Sequence, residues 1–489
     1  MNYQSLTFGT AGIRGIMGNN PGELNNESIS AISHCLAQVF KEDYNGGKVV
    51  FCYDSRKNGK KFALCAANVI NSYGFDVYIT KSSAPTPFLS YAVKKIGAIG
   101  GVNITASHNP KEYTGYKAYA GDGAQIDIAF AQRVQEKLMS FVLPKEKYKG
   151  TINEVSQEIY SSYLHTIAEK HGLATVDFGF FSALYTPLFG SAGELMKNLV
   201  QKTGIPIAFV EEQMMPNGDF PGLPKPNPDD TGVFDVAMTY KEYPLLLAND
   251  PDGDRLGAMV LTKTGYRLLS GNEIGILLLY YLLITTENVK DKFIVKSLVS
   301  TDFAQTLCAD YGISVKNTLV GFRYIAKKME EDKEHFLFGF EESGGYLASP
   351  HAGDKDGIEA ACLLLKAGAY FFQQGKTLID VLDNLYQTYG KVTDITLSID
   401  LPLEKSAELM AALRKNPPNI FCGKAIDYFE DYSQRNDEMQ GNLIAFRTKD
   451  ASIILRPSGT EPKMKVYCSV SIPQNQVEKE IDALFASYK

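Results

Sequence analysis

The sequence predicts an α/β protein built from four units, three of them on one plan and a smaller α+β unit at the C-terminal end. Three observations carry this prediction. Strand and helix signals alternate over the first three quarters of the chain, which favours α/β layers with largely parallel sheets. An apolar strand that empties into a polar loop recurs in each of the first three units. From about residue 390 onward, strands instead follow one another closely enough to be antiparallel. A length of 489 residues agrees with three or four domains, at about 150 residues each.

The first unit, 1–150, opens on Gly9-Thr-Ala-Gly-Ile-Arg-Gly15. This segment is neither Gly-x-Gly-x-x-Gly nor a P-loop, because no Walker lysine follows it. Lys48–Tyr53 is a continuous apolar run, as a buried strand requires, and it ends at Asp54-Ser-Arg56. Phe62, Ala66, Val69 and Ile70 then repeat at helical spacing, and Phe75–Ile79 is a second strand. Ala98–Val102 feeds a third strand into Asn103-Ile-Thr-Ala-Ser-His-Asn-Pro110, and Val142–Gly150 has the composition of a linker.

The second unit, 151–264, has a helix near Tyr160–Glu169 and a strand over Phe178–Tyr185. Pro216–Pro228 is too rich in Pro and Gly for regular structure and is expected to be an ordered surface loop with a structural role. The third unit, 265–389, opens on the capping box Ser270-Gly-Asn-Glu273 ahead of the apolar helix Ile274–Ile284. Phe293–Thr301 repeats the strand-then-loop design, a strand over His335–Phe338 precedes a glycine-flanked loop, and Asp356-Gly-Ile-Glu359 is expected to be a helix N-cap with its box partner. The fourth unit, 390–489, starts with alternating Val392, Ile395, Leu397 and Ile399. Antiparallel strands over Leu443–Arg447 and Ser452–Leu455 follow, and an amphipathic helix (Val477, Ile481, Leu484, Phe485) ends it.

Composition excludes several functions. Apolar residues make up 45% and charged residues 21%, an ordinary globular balance. A net charge of -7 with no basic run argues against nucleic acid. The seven cysteines are scattered with no Cys-x-x-Cys pair, so neither a disulfide framework nor a structural zinc site is indicated. No basic-then-apolar leader opens the chain, and Ile274–Ile284 falls short of the roughly 20 residues a bilayer span needs. The cytoplasm, with no membrane association, is the expectation.

Four segments can do chemistry. Ser107 sits where a buried strand meets a loop, so it is rigidly held yet open to a cleft. Thr105, His108 and Asn109 crowd polar groups around it. From these residues alone a plain polar turn is the competing reading. Asn249-Asp-Pro-Asp-Gly-Asp-Arg255 places Asp250, Asp252 and Asp254 at alternating positions of a loop, where they repel one another unless a cation is shared. Oxygen-only ligation by few protein groups suits Mg²⁺, and an EF-hand is excluded by Arg255 and Leu261. In Arg456-Pro-Ser-Gly-Thr-Glu-Pro-Lys463, Arg456 offers a planar fork to a phosphate, Ser458 and Thr460 offer hydroxyls, and Gly459 lets backbone amides turn toward an anion. Glu341 and Ser343, in Phe338-Gly-Phe-Glu-Glu-Ser-Gly-Gly-Tyr346, suit a grip on sugar hydroxyls, or equally a solvated acidic turn. Arg14 and Lys117 are cations available to a phosphate.

Together, in this order and over nearly the whole chain, these motifs resemble the α-D-phosphohexomutase superfamily of phosphoglucomutases and phosphomannomutases. The opening glycine-rich segment and the Gly-Phe-Glu-Glu loop look most like the bacterial phosphoglucomutase and phosphopentomutase branch. The resemblance implies four domains around a central cleft and a cytoplasmic isomerase of carbohydrate metabolism acting on a small sugar phosphate, as a monomer or homodimer. Ser107 becomes the phosphoserine and Asp250, Asp252 and Asp254 the ligands of one Mg²⁺ per chain, with Ser107 completing the set. Lys117 becomes a general acid or base, Arg14 and His108 join it near the transferring phosphoryl, and Glu341 and Ser343 contact the sugar. Arg456, Ser458, Gly459 and Thr460 hold the phosphate that is not reacting, and Arg255 and Lys296 are further cleft residues. Glucose 1,6-bisphosphate is the implied intermediate and activator. Gly344-Gly-Tyr346 lacks the histidine that dual-specificity members carry, and Gly321-Phe-Arg323 also departs from their pattern, so glucose, mannose, glucosamine and pentose phosphates stay open. A sugar-phosphate phosphatase and a non-catalytic phosphosugar sensor are the competing classes.

Overall fold

The computed structural model describes residues 5–9, 11–142, 150–458 and 462–486. Most of the expected linker therefore lies outside the described residues.

Each of the first three units is built on a mixed sheet rather than a largely parallel one, and the mixing follows a rule. Gly100–Ile104 runs parallel to Lys48–Tyr53 on one side and antiparallel to Tyr113–Ala120 on the other. Leu245–Asn249 lies between parallel Ala183–Thr186 and antiparallel Leu256–Thr262. Phe336–Glu341 lies between parallel Phe293–Ser297 and antiparallel Gly345–Leu347. In all three, the polar loop with chemical potential connects the parallel strand to its antiparallel neighbour. That connection is short because antiparallel partners need no crossover helix. Ile152–Glu154 adds an edge strand to the first sheet just past residue 150. The fourth unit is a five-stranded antiparallel sheet in which Ala451–Pro457 pairs with Lys463–Val470, backed by Leu403–Lys415 and Gln474–Phe485.

The apolar helix Gly271–Thr285 is hydrophobic around its circumference because it is central. Ile276, Leu277, Leu278 and Leu279 are buried in a core that joins all three sheets, each worth about 1.5–3 kcal/mol. Its capping box forms as expected, Ser270 accepting from the Glu273 N–H and Glu273 from the Ser270 N–H. Among the described residues no helix is long and apolar enough to cross a membrane. A separate apolar cluster seats the fourth unit on the third, with Leu298 and Val299 packed among Tyr432, Leu443, Ala445, Ile454 and Tyr467.

Three local expectations need correction. The strand expected over Phe178–Tyr185 is only Ala183–Thr186, because Gly179 at φ 55° turns the chain and leaves Phe180 96% exposed. The strand expected to stop at Phe338 continues to Glu341, so that carboxylate stands on a strand end rather than on a free loop. Asp356 caps Gly357–Phe372 through the Ile358 and Glu359 N–H groups, but Glu359 does not complete a box. Its carboxylate takes the Ala348 N–H, the Ser349 hydroxyl and His171 Nε2 instead.

Candidate active site

Ser107 follows the strand Gly100–Ile104 and has φ +53°, a left-handed conformation that costs a non-glycine residue about 1–2 kcal/mol. The loop is braced to hold it. The Ser107 N–H donates to Thr105 Oγ1 at 2.9 Å, and that hydroxyl donates to Asp54 Oδ2 at 2.6 Å. Asp54 pairs with Arg56 in a fully buried salt bridge of 3.1 Å. The segment Pro216–Pro228 supports this from the second unit, with the Phe220 ring 5.1 Å from the Arg56 guanidinium, which agrees with a structural role.

The Ser107 hydroxyl donates to Asp250 Oδ2 at 2.7 Å, joining two loops 143 residues apart. His108 Nδ1 lies 3.2 Å from the same hydroxyl. Burial, with Arg255, Arg14 and Lys225 around it, holds the His108 imidazole far below its ordinary value, so it is neutral. Arg14 stands on the neighbouring edge strand Ile13–Ile16 and donates to Asn109 Oδ1 at 3.2 Å.

Asp250, Asp252 and Asp254 are all buried and can bring carboxylate oxygens within 4.8 Å of one another. Gly253 at φ +66° makes the tight turn between them. Asp250 Oδ1 accepts from the Asp254 and Arg255 N–H groups at 3.1 and 3.0 Å. Burial first, and then Asp252 and Asp254, push the Asp250 carboxyl well above the usual range. Asp252 Oδ1 and Asp254 Oδ1 are buried with no hydrogen-bond partner. Orphaned carboxylate oxygens of this kind fit a hard divalent cation, which would satisfy them.

Two lysines converge on the same carboxylates. Lys117, from the strand Tyr113–Ala120, places Nζ 2.6 Å from Asp252 Oδ2 and 3.3 Å from Asp254 Oδ2. Burial opposes its charge, but Asp252 and Asp254 outweigh burial and raise its value. Lys355, which the sequence reading did not single out, sits 2.9 Å from Asp254 Oδ2 and 3.3 Å from Asp354 Oδ1. Asp354 is fixed in turn by Tyr119 and Gln125 of the first unit. Arg255, beside these groups, has a buried Nε without a partner.

Glu341 ends its strand with Oε1 accepting the Gly321 N–H at 2.7 Å. Burial raises its carboxyl above the usual range, and burial with Glu341 beside it lifts Glu342 to about 7. Ser343 is half-buried in the turn that follows. Lys296, on the adjacent strand, pairs in register with Phe340 next to Glu341. Its ammonium donates to the Ser300 carbonyl at 2.9 Å and pairs with Asp302 at 3.3 Å, beside the fourth unit, where Arg447 lies 3.6 Å from Asp302. Arg456 donates to the Tyr467 hydroxyl at 3.4 Å, and the Ser458 N–H donates to the Lys463 carbonyl at 2.9 Å. Gly459 and Thr460 lie outside the described residues.

Arg56 and Lys355 are the groups that sequence reasoning passed over. A polar loop after a strand was the one signal for Arg56, and an Asp-Lys-Asp run before a helix the one signal for Lys355.

The chain matches known proteins along nearly its whole length. Models of the phosphoglucomutase/phosphomannomutase alpha/beta/alpha domains I, II and III match residues 5–140, 161–264 and 270–389, and the model of the C-terminal domain matches 402–487. The phosphoglucomutase of Staphylococcus haemolyticus is 32% identical over 508 residues, covering 97% of this chain and 92% of its own. A solved phosphoglucomutase/phosphomannomutase family protein from Burkholderia thailandensis superposes with a TM-score of 0.78 at 18% identity, covering 100% of this chain and 98% of its own. The N-acetylphosphoglucosamine mutase of Aspergillus fumigatus, solved with GlcNAc-6P and magnesium, has a TM-score of 0.59 at 12% identity, covering 99% and 95%.

Proposed function

The chain belongs to the phosphoglucomutase/phosphomannomutase family of mutases, and from that premise we propose that it interconverts hexose 1-phosphate and hexose 6-phosphate, with glucose as the foremost sugar. One observation carries the reading: the Ser107 hydroxyl lies 2.7 Å from Asp250, so a strained, buried nucleophile from one unit meets the carboxylate cluster of another.

Phosphorylated Ser107 gives its phosphoryl group to the free hydroxyl of the bound monophosphate, forming a bisphosphorylated sugar. After this intermediate turns over in the cleft, its other phosphoryl group returns to Ser107. Lys117 enters as an ammonium: it protonates the serine oxygen as the phosphoryl departs, the amine so formed takes the proton released by the attacking sugar hydroxyl, and the same exchange runs in reverse on the return. His108, with Nδ1 3.2 Å from it, orients the Ser107 hydroxyl. Arg14 and Arg255 lend positive charge beside the transferring group.

Asp250, Asp252, Asp254 and an oxygen of phosphorylated Ser107 are the groups that would hold one Mg²⁺, the ion present in the Aspergillus fumigatus mutase. When bound, that ion neutralises charge on the phosphoryl group in flight. Glu341 and Ser343 accept from sugar hydroxyls, while Arg456, Ser458, Gly459 and Thr460 grip the distal phosphate. Lys296 acts at one remove, through the contact between the third and fourth units. A remote phosphate clamp is what separates this reading from a phosphatase, which has no need of one.

The test is conversion of glucose 1-phosphate with Mg²⁺ and a trace of glucose 1,6-bisphosphate, run beside mannose, glucosamine and ribose phosphates. Glucose 6-phosphate is the expected product. Free phosphate as the main product would replace the reading with a phosphatase, and binding without turnover would replace it with a sensor.

A further inference from the structure

Thr86 opens the helix Thr86–Ile96 of the first unit, yet its side chain does not cap that helix. Its hydroxyl crosses to the second unit and donates to Asp252 Oδ2 at 2.8 Å, while its backbone N–H donates to the Asp252 carbonyl at 2.8 Å. Asn103 Nδ2 donates to Thr86 Oγ1 at 2.8 Å. With that lone pair taken, the single hydroxyl proton is directed at Asp252. Thr86, Asn103 and Asp252 are all fully buried, so water offers none of them an alternative. The two segments also pack closely, since a Cβ on Gly253 would stand 2.8 Å from the Pro85 side chain.

Both donors to the Asp252 carboxylate, Thr86 Oγ1 and Lys117 Nζ, use Oδ2. Oδ1 is the oxygen left buried and unpartnered. A carboxylate on a loop rotates freely about its last bond unless something fixes it. We propose that Thr86 is a positioning residue of the cation site: its hydroxyl fixes the rotation of the Asp252 carboxylate so that Oδ1 faces the metal. This rests on the reading of the three aspartates as a divalent-cation site. Groups that orient a metal ligand through its second atom are typically worth about 10–100-fold in affinity.

The experiment is calorimetric titration of the full chain with Mn²⁺, and separately with Mg²⁺, in the absence of sugar. Thr86→Val keeps the shape and removes the hydroxyl, and about a tenfold loss of affinity is expected. Thr86→Ser restores the hydroxyl and should bind within about twofold of the parent chain, a rescue that a merely packing role would not produce. Asn103→Ala leaves the hydroxyl free to rotate and should fall between the two. Equal affinity in Thr86→Val and the parent would overturn the inference while leaving the cation site standing. A parent chain that binds neither ion would remove the cation-site reading and this inference with it. Should Thr86→Val fail to fold, Asn103→Ala decides: several-fold weakening supports the proposal, and unchanged affinity overturns it.

Discussion

Arg56 meets Ser107 at its backbone rather than at its hydroxyl: Nη2 donates to the Ser107 carbonyl oxygen at 2.6 Å. The same guanidinium reaches the carbonyls of Asn109, of Pro110 at 2.7 Å and of Tyr113 at 3.0 Å, while Nε is held by Asp54. One buried side chain thus gathers the acceptors of the loop that keeps Ser107 in its left-handed conformation. Strain at a functional position persists only where the surroundings over-determine it, and Arg56 is the largest part of those surroundings.

Arg56→Lys should therefore impair chemistry more than binding. A lysine keeps the charge but is a point donor that cannot span four carbonyls. The expected result is a fall in kcat of about a hundredfold with KM changed by less than about threefold. A stability loss of about 3 kcal/mol should accompany it, because Asp54 loses its fork partner while buried. Steady-state kinetics and chemical denaturation read both quantities. A kcat within twofold of the parent would show that the loop holds Ser107 without Arg56.

Ser107→Ala should remove mutase turnover by at least about a thousandfold, since the hydroxyl that carries the phosphoryl is lost. Mass spectrometry after incubation with glucose 1,6-bisphosphate should find one added phosphate on the parent and none on the variant. Retained isomerisation would mean that Ser107 is not where the phosphoryl rests.

Removing divalent ions with a chelator should abolish turnover, and Mg²⁺ should restore it. Asp252→Asn keeps the size of the side chain but takes one charge from a cluster already balanced by Lys117 and Lys355. Calorimetry should find metal affinity reduced by about a hundredfold or more, because a charged ligand is lost outright rather than merely misoriented. Undiminished Mg²⁺ affinity in this variant would exclude Asp252 as a ligand.

The pattern of strand followed by polar loop was legible because it is local. A run of apolar residues and the turn chemistry after it need no distant partner to be read, and so Ser107, the three aspartates and Glu341 could all be picked out. What the sequence hid depends on chain segments meeting across long separations. Thr86 and Asp252 are 166 residues apart, and Lys355 finds Asp254 from another unit. Glu359 was misread for a related reason. Its spacing from Asp356 fits a capping box, but burial offered its carboxylate a hydroxyl, an amide and an imidazole, which satisfy it better than one backbone N–H. Lys296 stands on a strand end like the reactive groups, but Asp302 and the Ser300 carbonyl had already claimed it.

That same buried cluster makes stability depend on pH in a direction that can be worked out. Glu359 accepts from the Ala348 N–H, Ser349 and His171, and His351 lies 3.8 Å away. Asp356 faces His351 at 2.8 Å and accepts from the Tyr163 hydroxyl at 2.7 Å. Burial disfavours the charge on Glu359, but His351, His171 and Ser349 outweigh it and hold the carboxyl at about 2, against an ordinary 4.5. As pH falls below 4.5 the unfolded chain takes up this proton before the folded one does. The stabilisation, on the order of 3 kcal/mol, is complete above about pH 4.5 and drains away toward pH 2. His351 is raised above its ordinary 6.5 because Glu359 and Asp356 overcome its burial, so its contribution is complete below pH 6.5 and is lost as pH rises through the folded value. Glu359→Gln removes the titrating group and keeps the shape. Denaturation at pH 5 and pH 3 should find the parent losing about 2 kcal/mol more than this variant over that interval. Equal losses would mean that the Glu359 carboxylate is not held in its charged form by the cluster, and that acid sensitivity arises elsewhere.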